Sequence, residues 1–88
     1  MRGNHEWTVR DEDGVKREIR VSKEAGLFRF QTKRDDADTW TYFDNRKTHP
    51  SIADVESFLD VLERKYQRRR ASHDDLIVAR RMLANLPR

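Results

Sequence analysis

The most conspicuous charged stretch of the sequence is YQRRRASHDD, residues 66–75, in which three arginines precede a histidine and two aspartates. Guanidinium groups bind phosphates well, so the arginines could bind a polyanion. Helix ends explain the same order, because bases are favoured at the end of one helix and acids in the first turn of the next. Ser72, with Asp75 three residues later, is typical of such a start. We therefore expect a helix break here and only auxiliary charge from three residues: Arg68, Arg69 and Arg70.

Groups that could catalyse a reaction or hold a metal are sparse. The three histidines lie in different parts of the chain, without the spacing of a catalytic or ligand motif. Asp35, Asp36 and Asp38 share one short segment, but the ligand and glycine spacing of a calcium loop is missing. There is no cysteine and no glycine-rich phosphate loop. The sequence therefore predicts a non-enzymatic protein with no cofactor and no metal.

Length and composition limit the elements that could position these residues. The chain has 88 residues, enough for one modest core, and 40% of them are charged. Eight aromatic residues (two Trp, two Tyr and four Phe) and a regular apolar spacing indicate that it folds. Its net charge of +3 is a mild excess that a polyanion or an acidic protein could use. Because no apolar run resembles a signal peptide or a membrane span, we expect a soluble, cytoplasmic protein.

The first half of the sequence has the pattern of strands, because apolar residues recur at every second position over residues 5–44. Turn-forming segments at 12–14, 24–26 and 34–38 divide it into four parts. We expect a four-stranded antiparallel meander after a short tail, residues 1–4.

Matching the apolar faces across each hairpin predicts the strand register. The first loop has three residues and places Gly14 in the left-handed conformation. The second is even in length, and the third has five residues. The three loops then predict these facing pairs: Trp7 with Ile19, Val21 with Phe28, and Phe30 with Tyr42.

From Ser51 onward the apolar spacing becomes helical, with steps of three and four residues. We expect one helix over residues 51–70 and a second over 73–86, which Pro87 ends. A single continuous helix is the alternative, and it is disfavoured because charged residues would fall on its apolar seam. The sequence thus predicts one α+β domain over residues 1–88, a ββββαα chain with both helices packed on one face of the sheet.

The opposite face of the predicted sheet carries the strongest indication of function. The register above sets Arg20 opposite Arg29, and Lys16 opposite both Lys33 and Arg10. Like charges that face each other are destabilising, and a sheet selected only for stability would interleave the signs. Cations suit phosphates, amides suit sugars or base edges, and aromatic rings suit stacking. We therefore expect a site for DNA or RNA, against the alternative of a plain solvated face, at seven residues: Arg10, Lys16, Arg20, Arg29, Gln31, Lys33 and Phe43.

Apolar residues that lie off the main stripes of the helices suggest a different function. A small sheet leaves such residues uncovered, and surplus apolar surface is typical of a homodimer or of a larger protein partner. This second hypothesis is an interaction module that uses five residues: Phe58, Val61, Ile77, Val78 and Met82.

Overall fold

The structure, a computed structural model, describes residues 5–43 and 48–87. They fall into two compact units that divide between Thr48 and His49. The tail predicted at residues 1–4, the predicted end of the sheet at Asp44, and residues 45–47 of the connection lie outside the described residues. That the whole chain forms one domain stays a prediction.

Four strands form one antiparallel sheet, and two helices follow them in the chain, which confirms the predicted ββββαα order. The strands are arranged side by side in sequence order, β1-β2-β3-β4. Within the described part of the chain, no helix combines the length and the apolar composition that a membrane span requires. The elements are β1 (His5–Arg10), β2 (Lys16–Glu24), β3 (Leu27–Arg34), β4 (Thr41–Tyr42), α1 (Ile52–Gln67) and α2 (His73–Asn85).

The hairpin between β1 and β2 has the predicted register, with Trp7 opposite Ile19. Gly14 takes a φ of 86°, a left-handed conformation that glycine adopts without steric cost. The backbone N–H of Asp11 donates to the carbonyl of Val15 at 3.0 Å and closes the loop. A loop of this length and this glycine position admit one register, which is why the prediction was correct.

The hairpin between β2 and β3 differs from the prediction by two residues. Val21 faces Phe30 and not Phe28. The turn consists of Ala25 and Gly26, both with positive φ, 52° and 79°. A two-residue turn of this kind matches the twist of the flanking strands and requires positive φ at both positions. A shift of two residues changes every facing pair but leaves each side chain on its predicted face.

The pairing of β3 with β4 differs from the prediction by one residue, which reverses the faces of β4. Tyr42 faces Gln31 and not Phe30. The ladder of β3 continues further than expected, since the N–H of Asp35 donates to the carbonyl of Lys16 at 2.9 Å. The turn toward β4 therefore starts later than the predicted five-residue loop allows.

One face of the sheet is buried and the other is partly exposed. The buried side chains come from the odd positions of β2 and the even positions of β3, as the alternation predicted. Ile19, Val21, Phe28 and Phe30 are at most 1% exposed. These residues hold the strands in one alignment, because a slip by a single residue would expose all of them.

The helical unit confirms the predicted break between two helices. The hydroxyl of Ser51 accepts from the N–H of Asp54, and that of Ser72 accepts from the N–H of Asp75, both at 3.1 Å. Arg69 has a φ of 61°, which ends α1 and makes one continuous helix impossible. The buried apolar side chains of its two helices and of the residue after α2 are Val55, Phe58, Leu62, Leu76, Ala79 and Leu86.

Candidate nucleic-acid interface

The face of the sheet opposite the buried one is here called the outward face. It consists of the even positions of β1 and β2, the odd positions of β3, and the residues on the same side of β4 and of the segment before it. Six of the seven residues predicted to bind nucleic acid lie on it. Its charged and aromatic members, with the polar residues Ser22 and Gln31, are Glu6, Arg10, Lys16, Glu18, Arg20, Ser22, Glu24, Arg29, Gln31, Lys33, Trp40 and Tyr42.

The charges of the outward face alternate in sign more than the sequence predicted. Of the predicted facing pairs of like charge, only Arg10 with Lys16 is observed. The two-residue shift between β2 and β3 makes the others wrong. The cations of the predicted stripe instead face neutral or acidic residues: Arg20 faces Gln31, Arg29 faces Ser22, and Lys33 faces Glu18. On the outward face, repulsion between facing like charges is therefore absent between β2 and β3, and it gives no support to a binding site there.

Ion pairs hold two of the arginines in place across this face. Arg20 Nε lies 3.1 Å from a carboxylate oxygen of Glu6, which is its facing residue in β1. Arg29 Nε lies 3.8 Å from Glu24. Both pairs are partly exposed, and such pairs contribute little to stability. Their effect is to orient the arginines along the surface.

The outward face carries aromatic residues, but the predicted one, Phe43, is not among them. Phe43 donates its N–H to the carbonyl of Phe30 at 3.1 Å, so it continues the ladder on the side of the buried residues. The one-residue shift that turns Phe43 inward turns Tyr42 outward, where 68% of it is exposed. Trp40 lies two residues before Tyr42, on the same side. The prediction that Phe43 contributes its ring to the outward face is therefore wrong. The outward face carries the rings of Trp40 and Tyr42 instead.

Arg20 and Trp40 form a stacked pair at one end of this surface. The Arg20 guanidinium carbon lies 4.5 Å from the centre of the Trp40 ring, within the range of a cation–π contact. The pair borders a shallow depression of about 210 Å³, which Glu6 and Thr8 also line. A guanidinium that rests on an indole ring is planar and charged at once, a surface on which another flat ring can stack.

A second shallow depression, of about 430 Å³, lies on the same face. Arg29, Gln31 and Tyr42 line it, together with Ser22. With Glu24, which also lines it, the depression combines a cation, an acid, an amide, a hydroxyl group and an exposed ring. Apart from the acid, these are the groups that contact phosphates, sugars or base edges, and base faces.

Asp36, one of the three aspartates in the segment 35–38, belongs to a separate cluster of acids around Arg34 at the end of the sheet. Arg34 donates to Asp11, Asp13 and Asp36 at 2.9, 2.7 and 2.9 Å. Its guanidinium lowers the pKa of Asp13 and of Asp36, and Arg17 together with Arg34 lowers the pKa of Asp11. Over residues 5–43 and 48–87, no group of three acidic or histidine side chains is placed to hold a metal ion.

The predicted residues of the helical unit divide into three cases. Phe58 is completely buried, so its prediction as a partner-binding residue is wrong, and the helical stripe is wide enough to include it. Val61, Ile77, Val78 and Met82 are half-buried. The three auxiliary arginines, residues 68–70, are exposed at the end of α1 and in the following turn.

Sequence reasoning missed Trp40 and Tyr42 because the segment TWTYF, residues 39–43, carries aromatic residues at both parities. Alternation alone cannot decide which of them face outward. What decides is whether the loop before β4 has an odd or an even number of residues, and no local sequence pattern specifies that number.

Comparisons of the chain with protein-family models, with curated proteins and with solved structures find no match.

Proposed function

We propose that this chain is a non-enzymatic nucleic-acid-binding module whose ligand lies on the outward face of the sheet. The observation that carries the proposal is the exposed ring of Tyr42 beside Gln31 and Arg29, with the Arg20–Trp40 pair on the same surface. An exposed aromatic ring beside cations and an amide offers a ligand a flat face for stacking together with groups for its phosphates and base edges.

The chemistry of the surface matches a nucleic acid better than it matches other polyanions. A ligand with phosphates alone would need cations and no rings. A nucleic acid offers phosphates for Arg20, Arg29 and Lys33, hydrogen-bonding edges for Gln31, and flat bases for the rings. Nothing on this surface distinguishes deoxyribose from ribose, so the proposal covers DNA and RNA.

The acids of the outward face limit the expected electrostatic contribution to nucleic-acid binding. Glu6, Glu18 and Glu24 lie between the cations, and they repel phosphates. If Arg20, Arg29 and Lys33 each contact one phosphate of a single strand, log K should fall with log salt at a slope of roughly −2, from about 0.7 per phosphate. This shallow slope separates the proposal from a purely basic patch, for which the slope is steeper.

The test is a titration of labelled oligonucleotides at low and at moderate salt with two charge-matched double variants. Arg20→Glu with Arg29→Glu changes the net charge by −4, from +3 to −1. Arg64→Glu with Arg81→Glu makes the same change on exposed positions of the helices. We expect the first variant to lose binding and the second to keep most of it. Equal loss in both would show that overall charge acts, and no binding by the wild-type chain would refute the proposal.

A second candidate function, a homodimer or a module for a larger protein partner, has support in the half-buried apolar residues Val61, Ile77, Val78 and Met82. The complete burial of Phe58 removes the largest side chain from that surface. Sedimentation of the same samples decides on self-association, because a dimer has twice the chain mass of 10.6 kDa. A dimer would also place two outward faces on one ligand and strengthen binding through multivalency.

A further inference from the structure

We propose that the outward face selects single strands over duplexes by stacking two successive bases, one on Tyr42 and one on the Arg20–Trp40 pair. This inference rests on the proposed function and specifies its ligand. It follows from the spacing of the rings, from their exposure, and from the position of the cations on the neighbouring strand.

The spacing of the two stacking positions is the first step. Tyr42 and Trp40 are two residues apart, and two residues of extended chain span roughly 6.6 to 6.8 Å. Successive bases of a duplex are about 3.4 Å apart along each strand. Trp40 directly precedes β4, so bases that rest on both positions are separated by up to about twice the duplex distance. A single strand can stretch in this way, whereas a paired strand cannot without losing its own stacking.

The exposure of the rings is the second step. Tyr42 is 68% exposed, so a large part of its ring is in contact with water. Trp40 is half-buried and carries the Arg20 guanidinium 4.5 Å from its ring centre. Guanidinium planes accept stacked bases as aromatic rings do. A duplex presents phosphates and groove edges but keeps its base faces covered, so it can use neither position.

The cations of β3 are the third step. Gln31 faces Tyr42 directly, and Arg29 and Lys33 lie two residues to either side of Gln31. The two cations are thus roughly 13 Å apart along the strand, about twice the ring spacing. Lys33 lies toward Trp40, at one end of the two-base step. Arg29 lies roughly 6.6 to 6.8 Å beyond Tyr42, where it can meet the phosphate of the next nucleotide. Gln31 lies between the two cations, opposite Tyr42, where its amide can reach a base edge.

The experiment compares three labelled probes of equal length with the full chain: an oligothymidine strand, an abasic strand, and a blunt duplex. The abasic strand keeps the phosphates and lacks the bases. We expect the oligothymidine to bind most tightly. Tyr42→Ala should weaken that binding roughly 5- to 150-fold, the range for loss of one stacked base, and should leave the salt slope unchanged.

Two matched variants control for folding and for tyrosine content. Tyr42→Phe keeps the ring and should bind like the wild-type chain. Tyr66→Ala removes another partly exposed tyrosine, 44% exposed on α1, and should also bind like the wild-type chain. Trp40→Ala should weaken binding of the oligothymidine and leave binding of the abasic strand unchanged.

The outcomes separate the two proposals. Equal affinity for all three probes, with Tyr42→Ala unaffected, would overturn the stacking inference and leave the nucleic-acid function standing. Binding to none of the probes at low salt would overturn both. A preference for the duplex would also overturn the inference, since it would mean that phosphates or grooves and not base faces are bound.

Discussion

Arg34 and Arg20 belong to the same small sheet and are almost equally exposed, at 33% and 36% of the side chain, yet their surroundings differ in kind. Three carboxylates surround Arg34, whereas Arg20 has one carboxylate, Glu6, and an aromatic ring, Trp40. Exposure alone therefore does not identify a binding arginine. The neighbours do, because an arginine whose donors are satisfied by acids has little left to offer an anionic ligand.

The positions of the partners explain why Arg34 is structural. Asp11 and Asp13 belong to the β1–β2 loop, and Asp36 belongs to the turn after β3. One guanidinium thus joins these two loops, and it lies 21 and 23 residues after Asp13 and Asp11 in the chain. Arg20 instead joins neighbouring strands that their backbone already holds together. Its pairing orients the side chain and adds less to the fold.

Substitution of Arg34 by alanine should have the largest effect on stability among changes of exposed arginines. It leaves Asp13 and Asp36 without their cation and Asp11 with Arg17 alone, so the attraction that joins the three carboxylates is lost and their mutual repulsion remains. We expect a clear fall in melting temperature, measured by circular dichroism, with unchanged oligonucleotide affinity well below that temperature.

Arg64→Ala is the matched control, because Arg64 makes one exposed pair with Asp60 in a helix. Loss of such a pair costs about 0.3–0.5 kcal/mol. If Arg34→Ala proved no less stable than Arg64→Ala, the contrast between the two arginine environments would be wrong.

The difference in stability between the wild-type chain and Arg34→Ala should depend on pH, and this dependence should identify the carboxylates as its source. The pKa values of Asp11, Asp13 and Asp36 are lowered in the folded chain from the ordinary 3.8. The stabilisation is therefore complete above 3.8, decreases as the unfolded chain takes up protons near that pH, and is lost below the lowered folded values. Denaturant unfolding of the wild-type chain and Arg34→Ala, from pH 7 downward, should show curves that converge on the acid side. Parallel curves would show that the carboxylates are not the source of the difference.

The comparison of Arg34 with Arg20 also separates the features of the fold that the sequence predicts from those that it does not. Alternation and helix caps are local, so the four strands, the caps at Ser51 and Ser72, and the first hairpin with Gly14 were predictable. The second register failed because Ala25 adopts a left-handed conformation that non-glycine residues seldom take, so the local preference was a poor guide. The structure accepts that local strain because the turn geometry suits the twist of both strands.

The third register failed for a long-range reason. The segment after β3 is positioned by Arg34, whose partners Asp11 and Asp13 belong to another hairpin. No window around residues 34–38 contains that information. Because β4 follows this segment, a one-residue error exchanged Phe43 for Tyr42 on the outward face. The stripe of cations was predictable from alternation, but the rings that complete the site were not.

The smallest effect that we predict concerns Arg20→Lys, which keeps the charge and removes the planar group. Lysine does not reproduce the flat contact with Trp40 or the Nε position beside Glu6. A lysine ammonium keeps part of the cation–π attraction, so the loss of stability should stay below about 0.5–1 kcal/mol, the value of a whole exposed contact. Affinity for a single strand should fall severalfold while the salt slope stays unchanged, because the number of cations is the same. Arg81→Lys on α2 is the control and should change neither quantity. If Arg20→Lys bound single strands as tightly as the wild-type chain, the charge of Arg20 alone would explain its contribution to binding. Arg20 would then differ from Arg34 only in the number of acids around it.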